Sequence, residues 1–324
     1  MRGEENHGAP PGFYFLIFWW SFWPAALFAT AGAALWLWRN RLTRRTLWLI
    51  ASILPYWVVI EIVPTKLPHY ILPIYPAIAI AAAWILLDKT RLGKVPLRTY
   101  KQGAALFLVV ALAQLAAFGF ALWAFEAGIG VFEVVAGALA ATLACLAAIA
   151  AWRALFHAAV PLALAAALVL YAAVFPTVLP KLEPLWPSLR TAEAIAPLKR
   201  CVRGPVAFAG YNEPSTVFLH GTDTKLVSAE QAAALLAEGG VAYAFVTARR
   251  EDRFKQALAA RGRALPRPIA CPKGLDINGG GVVTFALYSL QPATAFEGCS
   301  VAPKYACDAS GPARWQRLFG GGKR

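Results

Sequence analysis

A chain of 324 residues in which 59% are hydrophobic, with 12 Trp and 19 Phe, carries more apolar surface than a soluble core of that size can hide. Composition therefore excludes an ordinary soluble protein and points to a polytopic membrane chain. The formal charge of +14, from 31 Lys and Arg against 17 Asp and Glu, is divided between short loops and a mixed C-terminal part. It reads as membrane topology and anionic-lipid contact rather than nucleic-acid binding.

Residues 1–12 read as the remnant of an outer loop. Six apolar segments follow, at about 13–38, 46–63, 71–87, 103–125, 131–151 and 156–175, each near the length that crosses about 30 Å of hydrocarbon at about 1.5 Å per residue. Pro73 and Pro76 interrupt the first turns of the third. The opening residues are acidic at Glu4 and Glu5, and the first apolar segment is too long for a signal-peptide core, so it is expected to stay as a membrane helix.

Orientation follows from the basic residues of short loops. Arg39, Arg41, Arg44 and Arg45 follow the first segment, Lys89, Arg91, Lys94, Arg98 and Lys101 the third, and Arg153 the fifth. The alternate side carries only Lys66 and Arg2. Both termini are thus expected outside, which in a bacterium places everything after residue 176 in the periplasm and the spans in the inner membrane.

Near Pro176 the apolar runs stop, and Pro176, Pro180, Pro184 and Pro187 space out the exit from the membrane. Residues 177–291 then alternate: a helix at Thr191–Arg200, a strand at Pro205–Ala209, a short strand or turn at Thr216–Leu219, and a helix at Ser228–Glu238 capped by Ser228. A strand at Val241–Thr247, a helix at Glu251–Arg261 and a strand at Val282–Leu290 complete a small α/β layer domain. The fold class is an all-α membrane domain of about six helices, residues 13–176, followed by this α/β domain and a tail at 292–324.

Cys201, Cys271, Cys299 and Cys307 all fall on the outer side, which suits disulfides in an oxidising compartment, while Cys145 lies in the fifth span. The favoured pairing is Cys299 with Cys307 and Cys201 with Cys271. No zinc spacing occurs among them. The closing residues 320–324, GGGKR, read as a flexible basic tail.

The chemistry gathers at the second outer connector, where Glu61, Lys66 and His69 lie among prolines between two apolar segments. A cation at a bilayer boundary costs several kcal/mol unless it meets water, a counter-charge or an anionic ligand, and a lipid-linked phosphate satisfies it. Glu5 and His7 precede the first helix, so five groups line one outward cavity if the first three helices pack together. Lys66 then suits a phosphate, and His7 with His69 a divalent metal. Interface anchoring with Trp57, Tyr70 and Tyr75 as an aromatic belt is the plain alternative. Glu213, in an Asn-Glu-Pro-Ser turn, reads as turn chemistry that positions the next strand, and neither Glu133 nor Gln114 shows a partner for a proton relay.

The run from Pro64 to Pro76, PTKLPHYILPIYP, resembles the outer-loop signature of bacterial polyprenyl-phosphate-sugar glycosyltransferases of the type C fold, related to the aminoarabinose lipid A transferase and the protein mannosyltransferases. HGAPPG at 7–12, Phe22-Trp23-Pro24 and GYNEPSTVFL at 210–219 agree with that family in order. The resemblance implies transfer of a sugar from a polyprenyl phosphate to a lipid or protein acceptor, with Lys66, His69 and Tyr70 at the lipid phosphate and Glu5 and Glu61 orienting them. Family members carry an N-terminal half of about seven more helices that holds the catalytic base. The expectation is that this chain is the C-terminal half, inactive alone, completed by a separate N-terminal half or acting as a non-catalytic binder of polyprenyl phosphate or acceptor. A transporter would show repeated halves and ionisable groups near the midplane, which this sequence lacks.

Overall fold

The structure, a computed structural model, describes residues 9–26, 43–87, 97–277, 281–307 and 311–320. The chain divides into two compact units, Met1–Trp123 with Gly128–Lys181, and Ala124–Ala127 with Leu182–Arg324.

In the first unit α1, Phe13–Ser21, starts after Gly12, whose φ of 89° suits a residue without Cβ. The expected continuous helix over 13–38 is broken at 22–25, where the Trp23–Pro24 step removes a backbone donor. Residues 27–42 lie outside the described set. Helix α2 is Arg44–Ile62, and the connector after it ends in a 3-10 turn, Pro68–Ile74, that feeds α3, Tyr75–Leu87. Helices α4, Leu97–Ala124, α5, Val131–Trp152, and α6, Phe156–Lys181, are each long and apolar enough to cross a membrane. The chain is an integral membrane protein. Of the six expected spans only these three are long and apolar enough among the described residues; the apolar part of α2, Leu47–Ile62, and helices α1 and α3, at 9 and 13 residues, fall short.

Helices α5 and α6 pack face to face through alanines. Ala136, Ala140, Ala144, Ala147 and Ala151 line one helix, and Ala159, Ala163, Ala166 and Ala173 the other. In lipid, small side chains at this spacing let helix backbones approach closely. Helix α6 runs past Pro176 because a π turn at Val174–Val178 absorbs the missing donor, so it ends at Lys181 rather than near 176.

Two polar residues without visible partners in the sequence acquire them here. Lys181 Nζ donates to Glu133 Oε1 at 2.6 Å and to Gly128 O at 3.3 Å, and Glu133 Oε2 accepts from Gly130 N at 2.8 Å. Gln114, fully buried, donates from Nε2 to Trp20 O at 2.7 Å, tying α4 to α1.

The second unit is built on a five-stranded sheet of order β2-β1-β3-β5-β4. Strands β1, Val206–Ala209, β2, Lys225–Val227, and β3, Tyr243–Thr247, run parallel; β4, Lys273–Asp276, and β5, Gly281–Tyr288, run antiparallel to their neighbours. Helix α7, Pro187–Ile195, covers one face, against Phe208, Phe245 and Phe285. Helices α9, Ala229–Ala237, and α10, Glu251–Ala259, cover the other, against alanines of β1 and β3. Every residue of β3 is buried, as expected for a strand covered on both faces. Ser228 caps α9, accepting from Gln231 N at 3.2 Å, as its position predicts.

Three expectations are corrected. Residues 216–219 belong to helix α8, Pro214–His220, because Pro214 sits in its first turn with preset φ and Glu213 O accepts from Thr216 N at 3.0 Å. Strands β2 and β4 are absent from the sequence reading. The disulfides join Cys201 to Cys299 and Cys271 to Cys307. Cys271 N bonds Tyr305 O at 2.7 Å, which sets Cys271 beside the tail, while Phe296 packs against Tyr243 and brings Cys299 to Cys201. The tail ends in α11, Arg314–Phe319, whose Phe319 stacks on Phe125 at 5.8 Å and whose first amide bonds Glu126 Oε1 at 2.8 Å.

His220 gives this unit a pH dependence. Its Nε2 lies 3.0 Å from Thr191 Oγ1, and that hydroxyl donates to Ser188 O at 2.7 Å. Thr191 therefore accepts from Nε2–H, and Nδ1 is buried without a partner among the described residues. Burial, reinforced by the Lys199 charge, lowers the imidazole pKa to about 4. An unfolded histidine titrates near pH 6.5, so the unfolded chain holds more protons between the two values. The stabilisation, on the order of 3 kcal/mol, is complete above pH 6.5 and is lost as pH falls to about 4. Amide-exchange protection of β1 and α7 is expected to drop across that window in the wild type and to stay flat in His220→Leu.

Candidate functional site

The connector between α2 and α3 is organised by one carboxylate. Glu61 closes the last turn of α2; its Oε2 accepts from Gly12 N at 3.0 Å and its Oε1 from Tyr14 N at 3.2 Å. These are free amides at the start of α1, which carry partial positive charge, so the carboxylate caps that helix from another segment.

Lys66 completes the arrangement from the opposite end. Its Nζ donates to Glu61 O at 2.6 Å and Ile60 O at 3.2 Å, the carbonyls at the C-terminal end of α2, and lies 3.4 Å from Glu61 Oε2. Its side chain is 2% exposed. The ammonium also sits 5.4 Å from the centre of the Tyr14 ring, within cation–π reach. Tyr14, fully buried, donates from its hydroxyl to Leu67 O at 3.2 Å, and Tyr56 donates to Tyr70 O at 2.9 Å.

Of the sequence-derived residues, Glu61 and Lys66 are in direct contact. His69 is exposed in the 3-10 turn, with its ring edge-on to that of Tyr70 at 4.9 Å. Tyr70 and Tyr75 pack against the cluster of Tyr14, Phe18, Ile60, Ile71 and Ile74. Glu5 and His7 lie outside the described residues, and among the described residues no three His, Cys, Asp or Glu side chains gather as a metal cradle. Tyr14 and Tyr56 were missed: each lies in an apolar run and reads there as membrane-facing bulk. What marks Tyr14 is its place in the first turn after Gly12, where a phenol reaches a boundary loop.

The second candidate motif, at 210–219, lies in the other unit. Gly210 has a φ of 86°, and a Cβ there would meet Thr247 Oγ1 at 2.3 Å, so only glycine lets the chain turn off β1. Tyr211 is buried edge-on to Phe285, and its burial pushes the phenol pKa up to about 12. The motif shapes the turn and opens α8.

No protein-family model matches this sequence, and no curated protein matches it. The fold is nevertheless similar to that of a solved structure. ArnT from Cupriavidus metallidurans, determined bound to undecaprenyl phosphate, is similar at a TM-score of 0.54 and 16% identity, over 87% of this chain and 52% of that one. The likeness is one of fold, and this chain spans about half the length of the ArnT chain.

Removing one partner of a buried ion pair leaves the other uncompensated, at about 3–5 kcal/mol. Glu61→Ala strips Lys66 of its counter-charge and α1 of its cap together. Lys66→Met keeps the stem volume and leaves Glu61 its two amide donors. Thermal unfolding in detergent is therefore expected to show Glu61→Ala well below Lys66→Met in stability, with amide-exchange protection of α1 lost only in the former.

Proposed function

We propose that this chain forms the lipid-phosphate side of a membrane glycosyltransferase that moves a sugar from a polyprenyl phosphate to a lipid or protein acceptor. The observation that carries the reading is the fold likeness to ArnT, a structure holding undecaprenyl phosphate. It gains support from the outer-loop signature around Lys66 and His69. In this reading the chain lies in the bacterial inner membrane with both termini and the second unit in the periplasm, an orientation that the distribution of basic loops supports.

The reaction sets the requirements. An acceptor hydroxyl attacks the anomeric carbon, the bond to the lipid phosphate breaks on the opposite face, and a base takes the hydroxyl proton. Positive charge beside the departing phosphate lowers the barrier because charge develops there. His69 and Tyr70 supply the groups that meet the phosphate, and Lys66 supplies charge from its buried position while holding the turn that carries them. Glu61 orients Lys66. A divalent metal would be held by His69 together with His7, and would supply positive charge beside the phosphate.

In this reading the connector does not supply the base. Glu61 is occupied by two amides and Lys66, so the connector presents no free carboxylate among its described residues. That observation favours a second reading for the chain acting alone: it binds polyprenyl phosphate or acceptor without turnover, until another set of helices, in this or a separate chain, provides the base.

Binding of undecaprenyl phosphate to the chain in nanodiscs tests the assignment. Lys66→Ala and His69→Ala are expected to weaken binding at least about tenfold, which corresponds to about 1.4 kcal/mol. Arg98→Ala, exposed at the start of α4, is expected to bind as wild type. Lys66→Met, which keeps the packing, separates loss of charge from loss of fold. Equal binding by all variants removes the connector from the lipid site. Chelation that weakens wild type but not His69→Ala assigns a metal to His69.

A further inference from the structure

The second unit carries an apolar surface that its fold does not use. Phe218 is 88% exposed, Trp186 43%, Leu189 39% and Leu219 38%. All four lie on or beside helices α7 and α8. Helices α7 and α8 lie side by side, joined by the hydroxyl pair Ser188 and Ser215 at 2.7 Å and by Thr191 and His220 at 3.0 Å. Trp186 and Leu189 flank the first of these contacts on α7, and Phe218 and Leu219 lie between the two on α8. The α8 sequence, PSTVFLH, contains no Lys, Arg, Asp or Glu, and neither does Trp186–Leu189. An uncharged apolar surface of this kind on a water-facing domain marks an interaction site.

Chain connectivity identifies the partner. Trp186 is the fifth residue after Lys181, where α6 ends, and five extended residues reach at most about 18 Å. The surface thus begins close in sequence to the end of a membrane-length helix. Trp, Phe and Leu side chains are the ones that settle at the boundary of headgroups and acyl chains, about 5–10 Å deep.

We propose that α7 and α8 form a monotopic contact with the bilayer, with Phe218 as its deepest side chain. This surface is distinct from the Lys66 connector and independent of any transferase activity. Its consequence is that the sheet unit rests on lipid through a second attachment besides its covalent link to α6.

Spin labels at Phe218→Cys and at Leu189→Cys, in a Cys145→Ala background with both disulfides verified by mass, test this in the full chain. The chain is placed in phosphatidylethanolamine and phosphatidylglycerol nanodiscs, and relaxation is measured with oxygen, which partitions into lipid, and with an aqueous nickel chelate. Lys255→Cys, exposed on α10, reports water. The oxygen-to-nickel ratio is expected to be severalfold higher at 218 and 189 than at 255. Ratios equal to that at 255 overturn the proposal, because the surface is then bathed in water. Shielding of 218 and 189 from both reagents also overturns it, because protein then covers the surface. Phe218 is so exposed that its replacement removes little packing, so a misfolded variant does not confuse the result.

Discussion

The connector holds its shape because one carboxylate serves two helix ends. Glu61 faces the unpaired amides that open α1, and Lys66, bonded to the same side chain, faces the carbonyls that close α2. Partial positive and partial negative ends of two helices are thereby neutralised by one ion pair, a geometry in which each charge is solvated by backbone as well as by its partner. The position of Tyr14 under the ammonium, the bond from its hydroxyl to Leu67 O and the 3-10 turn that displays His69 all follow from this lock. Buried Lys66 is part of the scaffold, and His69 is exposed on it beside the half-buried Tyr70.

Polar side chains elsewhere in the first unit work in the same economical way. Lys181 and Glu133 join the N-terminal end of α5 to the C-terminal end of α6, and Gln114 ties α4 to a carbonyl of α1. Where lipid offers no water, each such group must find a partner on a neighbouring helix. These contacts sit between elements far apart in sequence, and they set register where the alanine faces of α5 and α6 alone would allow sliding.

How much of this was legible depended on distance along the chain. The connector announced itself through prolines and charges within a few residues, and Ser228 announced its helix through a cap and Gln231 three positions on. The burial of Lys66 was not legible, because it depends on Gly12 and Tyr14 some fifty positions away. Lys181 and Glu133 were separable charges until α5 and α6 were laid together. The Asn-Glu-Pro-Ser motif reads equally as a turn or as a helix start, and Pro214 in the first turn decided for the helix. Strands β2 and β4, of three and four residues, are too short for any alternation to show. Pro24 was absorbed into an apolar run whose hydropathy outweighed the missing donor.

The two disulfides also redefine where the second unit stops. Cys201 is joined across 98 residues to Cys299, and Cys271 across 36 to Cys307, so residues 292–307 are stapled to the sheet rather than trailing from it. A piece cut at 291 carries two orphan thiols, Cys201 and Cys271, both before the sheet's last two strands in sequence. In an oxidising compartment such thiols pair with each other or with a neighbouring molecule. Covalent oligomers are then a signature of cutting the chain too early, and they report the true edge of the unit more directly than any change in composition along the sequence.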